Sequence, residues 1–248
     1  MGNIYAIIPA RYGSSRFPGK PLALICNRPM IQHVYERACM CKQLDEVYVA
    51  TDDEKIMSCV QGFGGKAIMT SQGHRSGTDR IYETAKRLNF AQDDIIVNIQ
   101  GDQPAFQPSL IPLLVEPLLK DKNISISTLK YPITDKRELS NPNCVKVVTD
   151  SYGFALYFSR MPIPYCREEG CDITYYKHLG LYAYRVRFLE VFTRLDEGKL
   201  EKAERLEQLR ALENGYKIKV MKSPYNSIEV DIQEDIHKAE EVICPEGA

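Results

Sequence analysis

Ile4-Tyr5-Ala6-Ile7-Ile8-Pro9-Ala10-Arg11-Tyr12-Gly13-Ser14-Ser15-Arg16-Phe17-Pro18-Gly19-Lys20-Pro21-Leu22 decides how the rest of the chain is read. The apolar run from Ile4 to Ile8 predicts a buried strand, which passes straight into a loop of glycine, serine, proline and cations. Gly13 and Gly19 let backbone amides approach an anion, Ser14 and Ser15 add hydroxyl donors, and Arg11, Arg16 and Lys20 neutralise charge. It is not a Walker loop, because five residues separate the two glycines and Pro21 stands where Ser or Thr is required. The Rossmann glycine fingerprint is absent too. A basic surface turn is the plain reading; three cations directly behind a buried N-terminal strand favour a polyphosphate site.

Downstream, Met30 to Lys42 carries apolar residues at Ile31, Val34, Tyr35 and Ala38, which predicts an amphipathic helix opened by Pro29. Glu46 to Thr51 predicts a strand ending in Asp52-Asp53, Asp53 to Phe63 a helix, and Ala67 to Thr70 a short strand. This β-loop-α-β-α-β beat predicts an α/β fold with a mostly parallel sheet and helices on both faces. The polar stretch from Gln72 to Arg80 runs into a helix over Asp79 to Leu88, where Ser76 and Gly77 suit either capping or contact with an anion or a base edge. Asp94 to Gln100 is the clearest central strand, and Asp102 follows its carboxyl end, where ligands of open parallel sheets bind.

After a helix over Pro108 to Asp121, strands at Ile124 to Leu129, Cys144 to Asp150 and Phe154 to Ser159 mark a switch to antiparallel pairing. A single domain over 1–248 is expected, with an inserted substrate or dimer-forming section at about 124–190. A strand from Lys177 to Tyr184 puts His178, Gly180, Tyr182 and Tyr184 on one face, either the wall of a polar site or a dimer seam. His178 alone is more often a hydrogen-bonded core residue than a catalyst. Lys199 to Asn214 predicts one long helix stopped by Gly215. Lys217 to Met221 and Ser227 to Val230 predict closing strands, with Asp231 at an end, and Glu234 to Val242 the last helix.

With 32 basic and 33 acidic residues among 248, no global field recruits nucleic acid or an anionic membrane, so any cationic site is local. No apolar run approaches the ~20 residues that cross a bilayer, and no basic-then-apolar leader opens the sequence, so a cytoplasmic protein is expected. Its eight cysteines then read as reduced thiols. Cys166, Cys171 and His178 leave a zinc site as an alternative, at a spacing unlike paired-cysteine knuckles.

Asp102 and Asp231, both expected at strand ends, combine with the Arg11, Arg16 and Lys20 loop into a metal-and-triphosphate site by composition, with Mg²⁺ the expected metal. Its chemistry is attack on phosphorus, by a nucleotidyltransferase or by a nucleotide hydrolase; a nucleotide-binding module with a decayed site is the non-enzymatic rival.

The block from Ile8 to Leu22 resembles the opening of the CMP-Kdo synthetases, the 3-deoxy-manno-octulosonate (Kdo) cytidylyltransferases. So do His74 to Arg80, Val97 to Asp102, Ala155 to Arg160, Lys177 to Arg185 and Leu206 to Arg210, in family order over nearly the whole chain. The resemblance implies a homodimer with a Rossmann-like nucleotide-diphospho-sugar transferase fold. It implies transfer of CMP from CTP to the anomeric C2 hydroxyl of Kdo, with release of pyrophosphate, for lipopolysaccharide assembly. Carried over by motif, Arg11, Arg16, Lys20 and Asp102 would be catalytic, and Ala10, Gly13, Ser14, Ser15, Ser76, Gly77 and Arg80 would bind the nucleotide. Gln100, Arg160, His178, Tyr182, Glu207 and Gln208 would contact the sugar acid, and Asp102 and Asp231 would hold Mg²⁺.

The chain departs from the family pattern at three places. It has Gly101-Asp102-Gln103-Pro104 for Gly-Asp-Glu-Pro, Val230-Asp231-Ile232-Gln233 for Val-Asp-Thr-Pro, and Asp196-Glu197-Gly198-Lys199-Leu200-Glu201 for the proline-rich lead-in to the long helix. Neither expected metal ligand is lost. Gln103 and the Gly-Lys-Leu-Glu lead-in are closer to the branch that activates 8-amino-3,8-dideoxy-manno-octulosonate, whose amine calls for an acceptor or carboxylate nearby.

Overall fold

A first strand that is apolar on both faces needs cover on both, and the fold supplies it. The structure, a computed structural model, describes residues 2–13, 17–168, 170 and 172–244. The strands are β1 (Ile4–Ala10), β2 (Leu24–Ile25), β3 (Arg28–Pro29), β4 (Glu46–Thr51), β5 (Ala67–Met69), β6 (Ile95–Asn98), β7 (Ile126–Pro132), β8 (Lys146–Thr149), β9 (Ala155–Ser159), β10 (Tyr176–Arg185) and β11 (Lys219–Lys222). The helices are α1 (Met30–Cys39), α2 (Glu54–Gly62), α3 (Gly77–Arg87), α4 (Leu110–Lys120), α5 (Lys136–Ser140), α6 (Val186–Phe192), α7 (Lys199–Glu204), α8 (Gln208–Glu213) and α9 (Asp235–Ile243).

Strand alternation sorts the core into two layers. Ala6 and Ile8 of β1, Val49 of β4 and Val97 of β6 pack with Ile31 and Val34 of α1, Ile56 of α2 and Leu114 of α4. Ile7, Ala50 and Ile96, one step along the same strands, pack with Ile81 of α3, Phe188 of α6 and Leu209 of α8. A third, smaller cluster joins Ile25 and Met30 to Val230 and to Ala239 of α9.

The main sheet runs β11-β7-β10-β6-β1-β4-β5, and β10 alone opposes the other six strands of that path. The carboxyl ends of β1, β4, β5 and β6 therefore share one edge. β8 pairs antiparallel with β10 and β9, while β2 and β3 form a separate hairpin. The α/β class and the mostly parallel sheet agree with the sequence reading.

Three expectations are corrected. The long helix over Lys199 to Asn214 is two helices, because Arg205 adopts a left-handed conformation at φ 54°. The Arg160 guanidinium takes the carbonyls of Glu204 and Arg205 at that break. Ser227 to Val230 is not a strand; its backbone is tied to the β6 loop by Val230 N–H donating to Asp102 O at 2.9 Å. Nor are all the thiols reduced: Cys26 and Cys244 form a disulfide across 218 residues, and Cys166 is disulfide-bonded as well. Cys171 lies outside the described residues, and among those described no group of three or more His, Cys, Asp or Glu side chains is arranged to hold a metal. The zinc alternative is therefore set aside.

Ile8 is fully buried in the first layer. Ile8→Ala is expected to lower unfolding free energy by about 2–5 kcal/mol in urea denaturation, the cost of a core cavity; a loss under about 1 kcal/mol would contradict this packing.

Candidate active site

The loop after β1 closes where Gly19 N–H donates to Tyr12 O at 2.9 Å. Gly19 sits at φ +70°, where a Cβ would meet the Tyr12 ring at 3.2 Å, so both conformation and space call for glycine. It starts a single 3₁₀ turn, Lys20–Leu22, that lays the Lys20 side chain across the carboxyl edge of the sheet. There Lys20 Nζ donates to Asp102 Oδ2 at 2.7 Å and to Val230 O at 2.9 Å, and lies 3.8 Å from Asp231 Oδ1. Asp102 follows β6 through Gly101, whose Cβ position lies 3.0 Å from Pro9 O, so a larger residue would push the β6 loop off β1. Asp231 is fixed from behind, since its N–H and that of Ile232 both donate to Asp235 Oδ2.

Around this lysine lies a cleft of about 280 Å³. Of the expected nucleotide and metal residues, Ala10, Arg11, Lys20, Asp102 and Asp231 line it. Ser76, Gly77 and Arg80 line its opposite wall, and Gln100 lies beside Gly101 at the floor. Ser14, Ser15 and Arg16 lie outside the described residues, and Gly13 is exposed with open space around it. Ser76 caps α3: its Oγ accepts from Asp79 N–H while its own N–H donates to the Asp79 carboxylate, the reciprocal capping box. The helix start thus turns its N-terminal amides toward the cleft, which suits a phosphate. Arg80 is buried and donates to Asp52 at 2.6 Å and to Thr70 Oγ1, so it braces the ends of β4 and β5.

The expected sugar residues separate into two groups. Gln100, His178, Tyr182 and Glu207 cluster around the start of β10. Gln100 Nε2 donates to Gly180 O at 3.4 Å, the His178 and Tyr182 rings lie 5.3 Å apart, and Glu207 Oε2 accepts from Thr78 Oγ1 at 2.7 Å. Tyr182 Oη and Glu207 Oε1 are buried with no hydrogen-bond partner among the described residues, as is Asn98 Oδ1 on the strand position paired with Tyr182. Buried polar atoms in native structures are nearly all bonded, and Glu207 Oε1 has only the Arg210 guanidinium at 3.9 Å, so this set suits a polar ligand. Arg160 and Gln208 stand apart. Arg160 is committed to the carbonyls of Pro142, Glu204 and Arg205, and Gln208, the first residue of α8, does not line the cleft.

A second cavity of about 400 Å³ meets the first at Asp231 and reaches past His178, Gly180 and Glu229. Glu229 was not singled out in the sequence, where it reads as the outward residue of a short strand. Its carboxylate accepts from the buried Gln103 amide at 2.9 Å. Glu229 is reachable along the cavity but closely surrounded by protein; this enclosure, and next the Asp102 charge, raise its carboxyl above the ordinary range. Burial likewise raises the Glu207 carboxyl. His178 is lowered to about 3 by enclosure, so its ring is neutral and works as a hydrogen-bonding group beside Thr128 Oγ1 at 2.9 Å.

Two hard carboxylates beside a lysine, at the mouth of a helix N-terminus and at the carboxyl edge of a parallel sheet, define a nucleotide-handling α/β enzyme. The family model for cytidylyltransferases matches residues 5–219, and the chain belongs to that family. It is 51% identical over 243 residues to the 3-deoxy-manno-octulosonate cytidylyltransferase of Syntrophus aciditrophicus (strain SB), covering 98% of both chains. It is 53% identical over 240 residues to the 8-amino-3,8-dideoxy-manno-octulosonate cytidylyltransferase of Shewanella sp. (strain ANA-3), covering 96% of this chain and 98% of that one. The solved structure of CMP:2-keto-3-deoxy-manno-octonic acid synthetase complexed with CTP superposes with a TM-score of 0.91 at 43% identity, over 97% of this chain and 98% of that one. The chain is a cytidylyltransferase.

Because the folded His178 ring refuses a proton that the unfolded chain accepts below 6.5, stability is lost as pH falls from 6.5 toward 3. This residue contributes at most about 1.4 kcal/mol per pH unit in that window. His178→Gln is expected to shallow the acid loss seen by urea denaturation between about pH 7 and 5; parallel curves for the two proteins would contradict it.

Proposed function

We propose that the chain transfers CMP from CTP to the anomeric C2 hydroxyl of a 3-deoxy-manno-octulosonate acid, releasing pyrophosphate, with Kdo as acceptor. The observation that carries this reading is the meeting of Lys20 with Asp102 and Asp231 in one cleft with the α3 N-terminus. The names of the relatives and the CTP in the related structure support it. The same reaction on the 8-amino acid is the second reading, favoured by the Gln103–Glu229 pair.

In this reading the triphosphate lies along the cleft, where Lys20 and Arg11 offset its charge and the first amides of α3 donate to it. The C2 oxygen attacks the α-phosphorus in line. As the oxygen–phosphorus bond forms, the bond to the β-phosphate oxygen breaks and pyrophosphate leaves with the electron pair. Lys20 is placed to follow the charge that develops there. The hydroxyl proton passes to solvent, since the neutral His178 is held at Thr128.

Asp102 and Asp231 would hold magnesium. Two oxygen donors from the protein fit that ion, which keeps waters and takes its remaining ligands from phosphates. Bound there, it would supply charge neutralisation on the reacting phosphate and lower the pKa of the attacking hydroxyl. In this reading, hydroxyls of the acceptor would pair with the buried Asn98, Tyr182 and Glu207 atoms. Among the described residues no helix is long and apolar enough to cross a membrane, and the cytoplasm, where CTP is made, is the compartment this reading requires.

Lys20→Ala and Asp102→Asn are each expected to lower acceptor-dependent pyrophosphate release from CTP by at least about 100-fold. Near-wild-type rates would refute the site, and release without any acceptor would make the protein a hydrolase. We also propose a homodimer, because Tyr152, Leu156, Met161 and Tyr165 expose apolar surface around β9. Sedimentation should give a dimer at micromolar concentration, and a monomer there would contradict it.

A further inference from the structure

Helix α9 is lightly seated for the position it holds. Its buried residue is Ala239, and Ile236 and Ile243 lie half-buried against Ile25, Met30 and Val230. Apolar burial on that scale holds a nine-residue helix only weakly. Yet its first residue, Asp235, accepts from the N–H groups of Asp231 and Ile232, so the seat of α9 sets the backbone that carries the Asp231 carboxylate. At the other end of the helix two bonds reach the β2–β3 hairpin. Cys26 N–H donates to Glu240 Oε1 at 3.2 Å, and Cys244, the residue after α9, is disulfide-bonded to Cys26.

The hairpin turn is an unfavourable place for this cysteine. Cys26 and Asn27 are the two residues between β2 and β3, and both have positive φ, at 49° and 61°. Such turns favour asparagine or glycine at both positions, and cysteine has no local reason to be there. What it contributes is the bond to Cys244. Cys244 is exposed and Cys26 half-buried, so a dissolved thiol reaches the bond from the Cys244 side. In the compartment that the transfer reading requires, thiols are kept reduced, and an accessible disulfide there opens and recloses rather than acting as a permanent staple.

We propose that Cys26 and Cys244 form a reversible redox site, opened by a dithiol reductant, that controls cytidylyl transfer through α9 and Asp231. A thiolate of the dithiol attacks Cys244 Sγ, the bond to Cys26 breaks, and Cys26 leaves with the electron pair and takes a proton. The second thiolate of the dithiol then displaces Cys244, which is protonated in turn. The dithiol ends as a disulfide, two electrons having passed to the protein, and exchange with another disulfide runs the steps in reverse. With the bond open, α9 frays from its C-terminal end and Asp231 loses its fixed backing. The hold on α9 is independent of the transfer reading above; its effect on rate rests on that reading.

The test is amide hydrogen exchange and the rate of acceptor-dependent pyrophosphate release, measured on the wild type, Cys26→Ser and Cys244→Ser, each with and without dithiothreitol. In the wild type, reduction is expected to speed exchange over residues 232–243 by at least about tenfold. It is expected to lower kcat/KM for CTP by at least about fivefold, and reoxidation with glutathione disulfide is expected to restore both. The two variants are expected to show fast exchange and the lower rate from the start and to ignore the reductant, which separates this pair from the disulfide at Cys166. Exchange in the wild type unchanged within about twofold on reduction, or faster exchange with an unchanged rate, overturns the inference while cytidylyl transfer stands. A variant that still responds to dithiothreitol as the wild type does overturns it as well. An oxidised wild type that transfers CMP to no acceptor overturns the transfer reading and the control of rate with it, while exchange still decides whether the bond holds α9.

Discussion

The structure depends on one ammonium group held between segments that are far apart in sequence. Lys20 Nζ bonds Asp102 and the carbonyl of Val230 and lies near Asp231, so the loop after β1, the loop after β6 and the segment before α9 meet at a single atom. The backbone closes the same triangle independently through Val230 N–H and Asp102 O. Under it, Val230 packs with Ile25, Met30 and Ala239, so α9 and the β2–β3 hairpin hold Asp231 beneath the cleft. The carboxylates are therefore brought together before any substrate arrives, and the lysine offsets their mutual repulsion. Such preorganisation lets charge developing at phosphorus be met without rearranging the protein.

The sheet explains why this meeting happens at one edge. Four neighbouring strands, β6, β1, β4 and β5, run parallel, so their carboxyl-end loops gather side by side, and the start of antiparallel β10 projects past Asn98 over the same edge. In the proposed reading, nucleotide chemistry falls to the parallel strands and acceptor recognition to β10 and its neighbours. Asp231 lines both cavities and so stands where they meet.

Much of this was legible in the sequence, for identifiable reasons. Apolar runs at β1 and β6 marked central strands, and Lys20 and Asp102 stood in the loops that follow them, where parallel sheets bind ligands. The break at Arg205 was not legible. Lys, Leu, Glu and Ala favour continuous helix, and the Arg160 guanidinium that uses the freed carbonyls comes from a distant strand. Arg160 was expected at the sugar acid because the Ala155 to Arg160 block resembles the family's, yet its partners are main-chain carbonyls. Glu229 was hidden between Ile228 and Val230, a pattern that reads as strand alternation. Only the fold shows that it meets Gln103 across 126 residues.

The central claim is that Lys20 and Asp102 act as one unit on the reacting phosphate. A double-mutant cycle on the single-turnover rate of CMP transfer tests it most directly, using Lys20→Ala, Asp102→Asn and the pair together. If they act as a unit, the double variant falls no more than about tenfold below the worse single variant. Losses that multiply in full, each substitution costing the same factor whether or not the other is present, would contradict the account.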